Sequence, residues 1–212
     1  MKNDAQRAVR GVTLVLASLL FTVAGSFAAS AMAMNGIELY WLVSAAGYVL
    51  GAAGVVLLLP YDKHYKGALG ALLAGGCTVL AQQMMQGTYQ LVGISSEVLF
   101  QAVFLLITGG VTVWNFAELN CALRMHLRSA GAPEALASRG KHWTGFTALA
   151  IALSATGSYG VTKLPLSAHA QVLVQLCLLF AGFAFMVSAL VIGIRFLLAA
   201  RRYFIHISGG KL

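Results

Sequence analysis

Long apolar runs alternate with short basic or polar connections along this chain of 212 residues. Six runs approach or exceed about 20 residues, the length at which a helix crosses a hydrocarbon layer. They cover roughly 11–34, 37–60, 67–93, 98–123, 143–163 and 168–200. The runs are continuous and rich in Ala, Leu and Gly. They do not alternate with period two, so they predict helices and not strands. The expected fold is an all-α polytopic membrane protein. It is a single membrane domain over residues 1–212, with six transmembrane helices arranged as three hairpins. The first run follows Lys2, Arg7 and Arg10 and resembles a secretion signal, but it reads as a retained span.

Polar residues inside the runs fall on stripes. In "AQQMMQGTYQ", residues 81–90, the glutamines at 82, 86, 90 and 83 lie at about 0°, 40°, 80° and 100° around the helix. In the fourth run Gln101, Thr108 and Asn115 recur every seven residues, almost two helical turns. Glu118 borders that stripe. The fifth run adds Thr144, Thr147, Ser154, Ser158 and Thr162, and the first adds Ser18, Thr22, Ser26 and Ser30. Amides and hydroxyls facing lipid would go unsatisfied, so these stripes should face inward. Several converge toward the outer half of the bundle. Gln82, Gln83, Gln86, Gln90 and Gln101 are therefore the expected ligand-binding residues, with Thr108, Asn115 and Ser158 on the supporting polar stripe.

Composition agrees with a bilayer as solvent. Hydrophobic residues make up 59% and charged residues 9%, against about a quarter charged in soluble domains. The net charge of +8 does not imply nucleic acid, because the charges sit between apolar runs and form no basic face. The first, third, fifth and last connections carry Arg7 and Arg10, Lys63 and Lys66, Arg124, Arg128, Arg139 and Lys141, and Arg201 and Arg202. The intervening ones offer Glu38, Glu97 and Lys163. This asymmetry predicts cytoplasmic N- and C-termini. The Ala and Gly content, with no glycosylation sequon, suits a bacterial inner membrane. Tyr61, Tyr65, Trp143 and Tyr203 read as aromatic anchors at the inner edge.

Two charges lie deeper. Glu118 and Arg195 each precede a flanking arginine by six residues, roughly 9 Å inside the boundary. They are candidates for an ion pair or a coupling site. Small-residue pairs, Gly25 with Ala29 and Gly47 with Gly51, allow close helix approach. They could meet other subunits, as could the connection 126–142, where Pro133 and Gly140 bracket a possible short helix.

No catalytic motif stands out, and no cofactor or metal is implied. Cys77, Cys121 and Cys177 are isolated, and the five histidines sit at run edges. The expected function is membrane transport or solute binding at a polar site. The alternative is a non-catalytic subunit or scaffold of a larger membrane complex, in which the glutamines bond across helices for about 0.6 kcal/mol each.

Overall fold

The computed structural model describes residues 2–33, 40–92, 97–161, 165 and 167–209, with backbone alone at 2, 25–33, 40–41, 83–92, 97–102 and 159. The described residues are helical and include no strand. The long helices are α1 (Lys2–Ala33), α2 (Tyr40–Leu58), α3 (His64–Val92) and α4 (Glu97–Ser129). A short α5 (Glu134–Ala137) follows, then α6 (Trp143–Ala155) and α7 (Ala168–Ile207). Three stretches, Asn3–Ala24, Val103–Ser129 and Ala168–Ile207, are long and apolar enough to cross a membrane, and Leu42–Leu58 is a shorter apolar helix. Large apolar side chains such as Leu20, Val49, Leu73, Leu106, Phe180 and Phe183 are exposed. That outward apolar surface is the mark of a membrane protein.

The helices form a ring. Each packs on the next in the order α1, α2, α3, α4, α6, α7, and α7 returns to α1. Neighbours run antiparallel, and small residues set their spacing. A side chain at Gly54 of α2 would meet the carbonyl oxygen of Gly11 at 2.8 Å and the amide nitrogen of Val15 at 2.9 Å, so α1 and α2 touch backbone to backbone. Gly47 and Gly51 are buried against Thr22 and Ser18 of α1. That face of α2 is thus covered within the chain and is not free for another subunit. Gly25 and Ala29 fall outside the described side chains.

Some helices outlast their expected spans. α4 runs to Ser129 and α7 to Ile207, where the spans were expected to end near 123 and 200. At roughly 1.5 Å per residue, the 40 residues of α7 extend about 60 Å, twice a hydrocarbon layer. α4 stops at a left-handed Gly131 (φ 79°). There the Ala132 amide bonds the Leu127 carbonyl at 2.9 Å and the Gly131 amide bonds the Arg128 carbonyl at 3.0 Å. This double closure is what a glycine just past a helix end permits. α5 begins directly after Pro133, and a 3-10 turn over Ser138–Gly140 leads into α6. α6 is shorter than its expected span, because Thr156–Gly160 winds as a π-helix instead.

Trp143 and Tyr65 are corrected from interfacial anchors to core residues, each 0% exposed. A side chain at Gly193 would lie 2.5 Å from Trp143 Cε2, so the missing side chain is the notch that receives the indole. Hydropathy at a span edge does not distinguish a ring facing headgroups from one facing a neighbouring glycine.

Candidate functional site

The inner surface of the ring lines a partly open chamber of about 140 Å³. Helices α1, α2, α3, α4, α6 and α7 all contribute to it. α1 supplies Ser18 and Thr22, α2 supplies Tyr48 and Gly51, α3 supplies Leu72, α4 supplies Thr112, Asn115 and Phe116, α6 supplies Trp143 and α7 supplies Leu197. The glycines of α2 create the space, and aromatic rings shape it. Phe116 stacks on Trp143 with centroids 4.8 Å apart, and the Tyr48 ring lies over Gly75.

Most polar atoms on this wall are already occupied. Ser18 Oγ donates across the helix interface to the Gly47 carbonyl at 2.6 Å. Thr22 and Thr112 donate to the Ser18 and Thr108 carbonyls one turn earlier, at 2.9 and 2.8 Å. Asn115 differs. Its Oδ1 is buried and has no hydrogen-bond partner. The Trp143 Nε1 is also unpaired, with that edge of the ring against Gly193. A buried polar atom left alone costs about 1–3 kcal/mol, and on residues of this wall Asn115 Oδ1 and Trp143 Nε1 both carry that cost.

Depth follows from the register. Asn115 precedes Arg124 by nine residues and Ser18 follows Arg10 by eight. Both are thus roughly 12–14 Å from the basic end. Gln82 stands ten residues, roughly 15 Å, farther along α3 than Leu72. It is half-buried and does not line the chamber. The side chains of Gln83, Gln86, Gln90 and Gln101 lie outside the described residues. Of the expected polar stripe, Asn115 faces the chamber, Thr108 contributes its carbonyl to Thr112, and Ser158 falls in the π-helical segment.

Glu118 does not meet Arg195. Its Oε2 is 2.7 Å from His64 Nδ1 at the start of α3. Gly67 leaves room for it, since a side chain there would lie 2.6 Å from Glu118 Cδ. Arg195 is exposed on α7, four residues after the exposed Val191. Equal depth placed the two charges together in the sequence, but α6 stands between α4 and α7 in the ring, and helical phase turns them apart.

Below the chamber the basic end is closed by an aromatic cluster that sequence patterning did not single out. His126 is buried, stacks on Tyr61 at 4.3 Å and tilts onto Phe204 at 4.6 Å. Tyr65 meets it edge-on, with its hydroxyl 3.4 Å from Nδ1. Burial raises the hydroxyl pKa of both tyrosines above the ordinary phenol value, with the nearby carboxylates of Asp4 for Tyr61 and Asp62 for Tyr65 acting in the same direction. Tyr61 donates to the Asp4 carbonyl at 2.6 Å, Arg7 to the Leu57 carbonyl at 3.0 Å, and Arg201 to Thr13 Oγ1 at 2.9 Å. The connection after α4 is also fastened. Asn120 Nδ2 donates to the Gly140 carbonyl at 2.9 Å, Tyr203 to the Ala130 carbonyl at 2.8 Å, and Arg128 forks onto Glu134. The signal for this cluster was aromatic and histidine residues gathered at run ends, which composition alone assigns to the interface.

Comparison with known proteins gives no match to any family model, curated protein or solved structure.

Proposed function

We propose that the chain is an integral membrane protein of the transport or solute-binding class, with its ligand site in the chamber of the helix ring. The observation that carries this reading is a mostly apolar chamber, with Ser18, Thr22, Thr112 and Asn115 as its few polar residues, that α1, α2, α3, α4, α6 and α7 all border. Pockets with an apolar wall and few polar groups are the usual form of small-molecule sites. In this reading six helices cross the bilayer as three hairpins. Arg7, Lys63, Arg128 and Arg202 gather at one end, which supports cytoplasmic termini in a bacterial inner membrane. The glutamine face of α3 and Gln101 then form an outer vestibule above the chamber. The chain acts by binding and passage, not catalysis.

A second reading, a non-catalytic subunit or scaffold, draws support from the connection between α4 and α6. Its fastening to Asn120, Arg128 and Tyr203 makes it an ordered surface that exposes Pro133, Glu134, Ala135 and Arg139.

The test is a thermal-shift screen of the purified protein in nanodiscs against small metabolites. We expect at least one stabilising compound whose effect disappears in Val111→Phe, which fills the chamber. A response abolished by Gln82→Leu with Gln86→Leu, and kept by Val111→Phe, would move the site to the vestibule. No response to any compound, with co-purification of a stoichiometric membrane partner, would favour the scaffold.

A further inference from the structure

We infer that the outward face of α7 at the basic end binds an anionic phospholipid, with its phosphate on Arg195 and Arg202 and its acyl chains along the apolar strip above them. The site needs only a chain seated in a bilayer and is independent of the chamber.

The register of α7 builds the face. Arg202 follows Arg195 by seven residues and His206 follows Arg202 by four, so the three lie within about 40° around the helix. All three are exposed. Gly193, the notch for the Trp143 indole, stands about 160° from Arg195. The packing of α6 on α7 therefore turns the arginines outward. A side chain at Gly140 would lie 2.6 Å from Phe196 Cδ1. That contact sets the exposed Lys141 at the level of Arg195.

The described residues leave these charges unanswered. Neither Arg195 nor Arg202 has a hydrogen bond or an ion pair among them. Glu118 is held by His64, Glu134 is held by Arg128, and Asp62 accepts from the His64 amide. After Glu134 the sequence contains no Asp or Glu. The counterion for this face must come from outside the chain.

The surface above the arginines is apolar. The same flank of α7 exposes Val191, Val187 and Phe180, within about 80° of Arg195. From Arg195 to Phe180 is roughly 22 Å, more than the hydrocarbon depth of one leaflet, about 15 Å. Free phosphate would use the cations and not the strip. A zwitterionic lipid brings its own ammonium to the cations. An anionic phospholipid uses both parts, and a guanidinium matches phosphate oxygens with two parallel hydrogen bonds. Each basic residue near an anionic membrane surface strengthens the attraction roughly fivefold.

The experiment places the full chain in nanodiscs of phosphatidylcholine with a minor share of phosphatidylglycerol. Native mass spectrometry after release into detergent then identifies the lipids retained. The wild type should enrich phosphatidylglycerol at least about tenfold over its share in the bilayer. Arg195→Gln with Arg202→Gln should cut that enrichment at least about fivefold, and Arg195→Lys with Arg202→Lys should keep most of it. Lys63→Gln with Lys66→Gln removes equal charge from exposed positions at the start of α3 and should change little. If the double variant does not fold, Arg195→Gln and Arg202→Gln are read singly, each with a partial loss. Enrichment that survives the arginine variants overturns the site. Equal losses from the arginine and lysine pairs overturn it too, because overall charge then suffices. No enrichment by the wild type overturns the lipid. An acidic protein held by the wild type and lost from the arginine variants would then make this face a protein-binding surface.

Discussion

The basic end and the chamber use similar side chains to opposite ends. At the basic end, several polar groups are paired across elements: His64 with Glu118, Arg128 with Glu134, Arg201 with Thr13, and tyrosine hydroxyls with carbonyls, although Arg124 Nε and Asn120 Oδ1 are buried there without a partner. His126 is held there between rings of three elements. Roughly 14 Å away, the hydroxyls of the chamber bond carbonyls and Asn115 keeps an unanswered acceptor. A polar group bonded to a distant element fastens that element. The basic end is thus expected to govern stability and the chamber to govern binding.

The largest expected effect breaks the closure. Phe204 is 1% exposed and packs on His126, so Phe204→Ala should cost about 3 kcal/mol, the lower end for a buried phenylalanine. Reversible unfolding in mixed detergent micelles measures this, and a loss well under 1 kcal/mol would show that the cluster does not close the ring. Next, Gly193→Val drives a side chain into the Trp143 indole. Overpacking of this kind costs about 1–3 kcal/mol. Because Trp143 also lines the chamber, this variant should weaken both folding and binding, and unchanged binding would separate the two regions more sharply than drawn here. Asn115→Leu should do the reverse of Phe204→Ala. Removing the buried, unpaired Asn115 Oδ1 should stabilise the fold by about 1 kcal/mol, and a loss of stability would mean that the amide holds the ring together.

The smallest effect concerns pH. The hydrogen bonds and charge of Arg128 hold the Glu134 carboxyl below its ordinary value. A depressed folded-state pKa gives stabilisation that is complete above the unfolded value, about 4.3, and is lost as pH falls through the folded one. Glu134 is fully exposed, so the contribution is slight. The difference in thermal midpoint between wild type and Glu134→Gln should be flat from pH 7 to 5 and shrink below about pH 4. A difference that grows on acidification would rule out this pair as its source.

Much of the helical architecture was readable because a bilayer imposes length and hydropathy on each span. The α4 to α6 connection was readable too, since Pro133 and Gly140 bracket α5 and its 3-10 extension. The site was readable only in part. Asn115 was found through the stripe it shares with Thr108, because period alone sets helical phase. Glu118 was matched to Arg195 by depth, whereas the partner His64 sits on the neighbouring helix. Ring order, which decides who faces whom, leaves no local trace in an apolar run. Tyr65 and His126 were hidden for a related reason, since aromatic residues at span ends serve equally as anchors and as packing.

The order of the ring also bears on how the chain is made. Each helix rests on one that has just preceded it in synthesis, so most packing is available as soon as a segment enters the membrane. The seam between α1 and α7 is the exception. Its bond from Arg201 to Thr13 joins residues 188 apart. Until translation reaches α7, the first helix keeps one flank open to lipid or to a membrane insertase. The final helix is therefore the clasp of the assembly, and a ribosome that stalls before residue 168 would leave α1 and α6 as the open ends of a ring that cannot shut.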